Sequence, residues 1–174
     1  MRRSEMDIFK KIEKGIYVFT NTLGILAGLM MALLTGFVFA EVLCRYIFKS
    51  PIVITTEMTN ILFPWIVSLS AISIAKDNGN TALVFIKEKF KGTFRHMVEI
   101  AVHMVMLYFS VFMAIASFKL SSSLSKEIMV LTGISKALVY GSMFIGFVGI
   151  TIVVGFNLLK YIVFDMVKMG GVEK

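Results

Sequence analysis

Apolar residues run in four long blocks along this chain, and charged residues fall almost wholly between them. The blocks predict membrane spans over about 16–43, 52–75, 97–118 and 137–160. About 20 residues rising ~1.5 Å each cross a hydrocarbon layer of ~30 Å, so each block is long enough. The first link, Lys49-Ser50-Pro51, is short and makes spans one and two antiparallel neighbours. Two further stretches mix apolar and basic residues at helical spacing. In 4–15, Ile8, Phe9 and Ile12 share a face that Lys10, Lys11 and Lys14 avoid. In 82–94, Leu83, Ile86, Phe90 and Phe94 recur with Lys87, Lys89 and Lys91 between them. Each stretch predicts an amphipathic helix lying in the membrane interface, although 4–15 fits an extension of the first span equally well. The pattern therefore predicts an all-α membrane protein, a single domain over 1–174 with four transmembrane helices plus one or two interfacial ones.

Composition agrees with this pattern and excludes some function classes. The chain has 174 residues, is 57% hydrophobic and has a mean hydropathy of +0.85. Those values belong to a membrane protein. A net charge of +7 raises the question of nucleic acid, but the placement of the charge answers it. Arg2, Arg3, Lys10, Lys11 and Lys14 precede span one; Lys76, Lys87, Lys89, Lys91 and Arg95 lie between spans two and three; Lys160, Lys168 and Lys174 follow or end span four. The other side holds only Arg45, Lys49, Lys119, Lys126 and Lys136. Positive residues gather on the cytoplasmic side, which places both termini in the cytoplasm. The basic balance then reflects topology and contact with lipid headgroups, for which Lys10, Lys11, Lys14, Lys87 and Lys91 are the candidates. Cys44 is alone, so there is neither a disulfide framework nor a redox pair. The first apolar block is too long for a signal-peptide core and reads as a retained helix.

Within the spans, small and polar residues mark candidate contact faces. Gly24, Gly28, Ala32, Gly36 and Ala40 recur every four residues in span one. Small residues at that spacing let a second helix approach closely in lipid, where packing rather than hydrophobicity drives association. Span two carries Glu57, Asn60, Pro64 and Ser68 at helical spacing, with Trp65 beside them. Pro64 cannot donate to the carbonyl of Asn60, which predicts a kink. Gly141, Gly146, Gly149 and Gly155 suit close packing of span four.

Three charges, Glu41, Arg45 and Glu57, sit at the ends of spans one and two. A charge in a spanning helix is costly and needs a partner. Glu41 and Arg45 are four apart and can pair on one helix face, and the short link can bring Glu57 near Arg45. This predicts a structural clasp, with a proton or ion site as the alternative. Arg95, Glu99 and His103 follow one another at intervals of four, so a buried polar clasp or a proton relay is open there. Two His on a single helix cannot clamp a haem from both sides. With one Cys, that counts against a redox enzyme. No phosphate loop, zinc spacing or Ser/His/Asp set is present, and no cofactor is expected in this chain.

The order of features resembles the small membrane (Q-type, DctQ-like) subunit of TRAP, the tripartite ATP-independent periplasmic transporters of bacteria. The residues that carry the resemblance are Glu41-Val42, Arg45-Tyr46, Phe48 and Pro51, then Thr56-Glu57, Leu62-Phe63 and Trp65. Ala71, Ala75 and Gly79 before the inner loop, and Tyr140 at the entry to span four, extend it over nearly the whole chain. The sequence departs from the family pattern at Ile54-Thr55-Thr56, where a Trp is usual, at Pro64 and at Asn80. The resemblance implies a scaffold in a Na⁺-coupled carrier of the bacterial inner membrane for acidic organic solutes of the C4-dicarboxylate or sialic acid class. The large M-type membrane subunit would hold Na⁺ and substrate, and this chain would brace it. Gly24, Gly28, Ala32, Gly36, Asn60, Pro64, Trp65 and Ser68 would then form packing or partner faces. Lys49 and Ser50 would touch the periplasmic substrate-binding protein. A self-sufficient small multidrug-type carrier working through Glu41 and Glu57 is the alternative, and it would function without a partner.

Overall fold

The structure is a computed structural model. It describes the backbone at residues 2–49, 54–76 and 93–169, and side chains at 10–49, 54–76 and 97–163. Four helices make up nearly all of this: α1 (Arg2–Ile47), α2 (Ile54–Lys76), α3 (Thr93–Ser123) and α4 (Ala137–Met169). Each contains a stretch long and apolar enough to cross a membrane. The fold class is the one the hydrophobic blocks predict. Segment 82–92, with Lys87 and Lys91, lies outside the described residues, as do Ser50, Pro51, Gly79 and Asn80.

Residues 4–15 do not form a separate helix. α1 runs through them without a break, over 46 residues. At ~1.5 Å per residue it is about 69 Å long, more than twice the hydrocarbon thickness. Gly15, the natural place for a break, is tolerated inside the helix at a cost of about 1 kcal/mol relative to Ala. α1 ends at Ile47, and the Phe48 N–H just past it still donates to the Cys44 carbonyl at 3.0 Å. Lys49 then takes a left-handed conformation, φ 55°. α2 continues as one helix through Pro64.

The helices stand in a row in the order α1, α2, α4, α3. α1 packs on α2, α2 on α4 and α4 on α3; no other pair makes more than marginal contact among the described residues. Position in the row explains which residues are buried. α2 has a neighbour on either side and buries Thr55, Ile61, Ile66, Ser68, Leu69 and Ile72. α1, at the end, buries Thr20, Ala27 and Leu34, a spacing of seven that keeps one narrow stripe on its single neighbour. Its other faces expose large apolar side chains such as Leu29, Leu33, Phe37 and Phe39.

Glycine sets the two seams of α2. A Cβ on Gly24 of α1 would stand 2.8 Å from Ser73 Oγ. On α4, a Cβ on Gly146 would stand 2.8 Å from Ser68 Cβ, and one on Gly149 would stand 2.5 Å from Ile72 Cδ1. The α3–α4 seam instead uses hydroxyls and rings. Thr151 Oγ1 donates to Ser110 Oγ at 2.9 Å, and Phe118 lies against Phe144 with ring centroids 5.3 Å apart. The two most deeply buried hydroxyls are satisfied locally: Thr20 donates to the Ile16 carbonyl and Ser142 to that of Val139.

Candidate functional site

The end of the row that carries the start of α2 and the α3–α4 connection, expected to be the outer one, is organised by Glu57, through a partner different from the expected one. The chain between α3 and α4 folds as a tight hairpin. Met129 N donates to the Ile134 carbonyl at 2.8 Å and Lys136 N to that of Glu127 at 2.8 Å, with an isolated antiparallel bridge between Ile128 and Ser135. Gly133 adopts φ +68°, a conformation that costs glycine little. The tip meets Glu57 in the first turn of α2. Leu131 N donates to Oε1 at 3.0 Å and Thr132 N to Oε2 at 2.7 Å. Glu57 thus ties the α3–α4 hairpin to the start of α2. Lys136 and Glu127 close the hairpin base at 2.8 Å, and that hydrogen bond raises the Lys136 pKa above its ordinary value. The hairpin presents Ile128, Val130 and Leu131 outward, with Val130 93% exposed.

The clasp expected from Glu41, Arg45 and Glu57 is not assembled. Among the described residues Glu41 and Arg45 form no ion pair, and Arg45 lies over the Tyr46 ring with its guanidinium carbon 5.4 Å from the centroid. The reason is geometric. Glu57 accepts two backbone N–H groups at the hairpin tip, and Arg45 is exposed near the end of α1. Sequence reasoning missed this partnership because the two ends lie 74 and 75 residues apart. The available signal was Gly133, a turn-forming residue between the short apolar run Ile128–Leu131 and the start of span four.

The small-residue ladder of span one does not form one face. A step of four residues overshoots a 3.6-residue turn by about 40°, so the ladder winds around the helix. Gly24 faces Ser73 of α2, but a Cβ on Gly28 or Gly36 would meet nothing within 4 Å, and Ala32 is exposed. In α2, Ser68 is buried against Gly146, Pro64 and Trp65 are half-buried, and Asn60 is exposed. Phe63, Pro64 and Val67 of α2 line an apolar groove of about 310 Å³ together with Met113 of α3 and Met143 and Phe147 of α4. Lys49 is exposed at the outer end.

The opposite end, expected to be the inner one, is tied by charge. Lys160 of α4 pairs with Glu13 of α1, and Lys76 of α2 sits over the Tyr17 ring at 3.8 Å. These contacts hold the long inner extension of α1 against the row. Glu99 and His103 of α3 are 4% and 3% exposed. His103 Nδ1 lies 2.8 Å from the Glu99 backbone carbonyl, and its ring stacks on Tyr161 of α4. Lys10, Lys11 and Lys14 are exposed. Among the described residues no group of His, Cys, Asp or Glu is placed to hold a metal ion.

A row of four apolar helices with exposed side faces defines a multi-pass, all-helical membrane protein. Residues 34–162 match the family described as tripartite ATP-independent periplasmic transporters, DctQ component, and the chain belongs to that family. It is a transporter-component family, not a class of enzyme. A curated relative from Haemophilus influenzae (strain ATCC 51907 / DSM 11121 / KW20 / Rd), named as a putative TRAP transporter small permease protein, is 28% identical over 152 residues. The alignment covers 87% of this chain and 90% of the relative.

Proposed function

We propose that this chain is the small scaffold subunit of a Na⁺-coupled carrier that takes up acidic organic solutes of the C4-dicarboxylate or sialic acid class. It braces a large elevator-type membrane subunit, and a periplasmic substrate-binding protein delivers the solute. Both termini lie in the cytoplasm and the membrane is the bacterial inner membrane. The observation that carries the reading is the open row. A self-sufficient carrier encloses its substrate between helices, whereas these four stand side by side and leave broad apolar faces. Such a slab widens a fixed platform when one face is covered by a larger membrane protein, because packing of small residues drives association within lipid. Na⁺ and substrate then belong to the large subunit. Gly28, Ala32, Gly36, Trp65 and the groove beside Pro64 are the faces offered to it, and Lys49 and Ser50 are offered to the binding protein. The carrier alternative needs Glu41 and Glu57 to line a path; the two amides on the Glu57 carboxylate count against it.

The test is purification of the tagged chain from its native membrane in mild detergent, read by mass spectrometry. A large polytopic membrane protein in near-equal amount is the expected result. Recovery of the chain with only copies of itself would overturn the scaffold reading.

A further inference from the structure

We propose that the inner end of α1 binds one anionic phospholipid, its phosphate held between Lys11 and Lys14 and an acyl chain laid along Gly15, Val18 and Phe19. These residues and Thr22 line an open cleft of about 590 Å³. Lys11, Gly15, Val18 and Thr22 succeed one another turn by turn, so the cleft runs along the helix on the side roughly opposite Thr20 and Ala27 and faces away from α2. Charge selects the ligand. Both ionisable residues of the cleft are lysines, and both are exposed. Glu13, which lies between them in sequence, points to the other side and pairs with Lys160 of α4, so it does not neutralise them.

Depth selects a lipid over a free anion. The apolar block of the first span begins at about residue 16, which sets the two lysines just outside it, at headgroup level. Thr22 lies two turns deeper than Lys14, about 12 Å along the helix. The wall between is apolar: Val18 and Phe19 are exposed, and the Thr22 hydroxyl donates to the Val18 carbonyl at 2.9 Å, leaving its methyl to the cleft. A Cβ on Gly15 would meet nothing within 4 Å, so this position is a notch in the wall just below the lysines. Cationic heads above an apolar slot match a phosphate ester above its chain, and basic residues at an anionic membrane surface supply the attraction.

The site uses α1 alone and stands whichever partner covers the rest of the row. The test uses the full chain in neutral detergent, titrated with phosphatidylglycerol or phosphatidylcholine and read by native mass spectrometry. One phosphatidylglycerol per chain is expected to persist where phosphatidylcholine is lost. The K11Q/K14Q double variant is expected to lower retention about tenfold or more, and G15L to lower it by filling the notch. K119Q/K126Q, equal in charge change at the other end of α3 and its hairpin, is expected to retain lipid like the parent. Equal retention of the two lipids, an unchanged K11Q/K14Q variant or an equal loss in K119Q/K126Q overturns the proposal. So does displacement of the lipid by millimolar inorganic phosphate, which would mark a free-anion site.

Discussion

The α2–α4 seam and the outer half of α1 are written in the same small residues and behave in opposite ways. Gly146 and Gly149 stand against Ser68 and Ile72 so closely that neither tolerates a Cβ without movement. Gly28 and Gly36 belong to a longer and more regular run, yet a Cβ on either meets nothing within 4 Å. The difference is position in the row. α4 is flanked by α2 and α3, whereas among the described residues α1 packs on α2 and otherwise makes only marginal contact, such as the Glu13–Lys160 pair. A small residue permits close approach; whether another helix arrives depends on which way the residue points. With a drift of about 40° at each step, the α1 ladder leaves its one neighbour within a single step beyond Gly24.

Substitution should separate the two regions cleanly. The largest effect is expected at Gly146, where a new Cβ meets Ser68 Cβ at 2.8 Å and its backbone Cα at 3.2 Å. Gly146→Ala should lower the unfolding free energy of the purified chain by about 1–3 kcal/mol, and Gly146→Leu should abolish recovery of folded protein. An unchanged melting curve for either would show that the seam is looser than its geometry.

Next comes the polar tie at the outer end. Glu57→Ala removes both oxygens that receive the hairpin tip. The Leu131 and Thr132 amides should then lose their protection in hydrogen exchange, while the mid-span amides of α3 and α4 stay protected. Glu57→Gln should give a smaller change of the same kind, since one amide oxygen still accepts. Full protection in Glu57→Ala would mean the hairpin holds itself.

Gly36 carries the contrast with Gly146. In the isolated chain Gly36→Ala should be neutral or stabilising, by up to about 0.5–1 kcal/mol, because the helix gains propensity and meets no obstacle. Gly36→Leu should leave the isolated chain folded yet reduce co-purification with the large subunit. Loss of folding in Gly36→Ala would break the comparison, and intact co-purification in Gly36→Leu would remove this face from the partner interface. The smallest effect belongs to Arg45→Ala. No carboxylate depends on Arg45 in the described structure, so the change should lie within about ±0.5 kcal/mol in thermal unfolding.

The residues themselves settle much of this. Four apolar blocks determine four spanning helices, because backbone groups in lipid must be satisfied within the segment and a helix alone does that locally. The Glu41–Trp65 hairpin and the order of motifs point to the family that residues 34–162 match. Gly146 and Gly149 of span four are legible as packing positions, and the structure seats them on Ser68 and Ile72. Partners distant in the chain are not legible. Glu57 and Arg45 lie twelve residues apart across a short link and look like natural partners, but Glu57 instead accepts from Leu131 and Thr132. Glu13 and Lys160 are 147 residues apart, and nothing near either predicts the other. The run from 4 to 15 reads locally as either a separate interfacial helix or an extension of the first span, and the continuous helical backbone decides for the extension. Local pattern determines which segments are helical and which of them enter the membrane, because those depend on neighbouring residues and the solvent. Only the tertiary structure decides which face of each helix is used and which charge meets which. Those follow from the order of the helices in the row, and that order depends on contacts made across the whole chain.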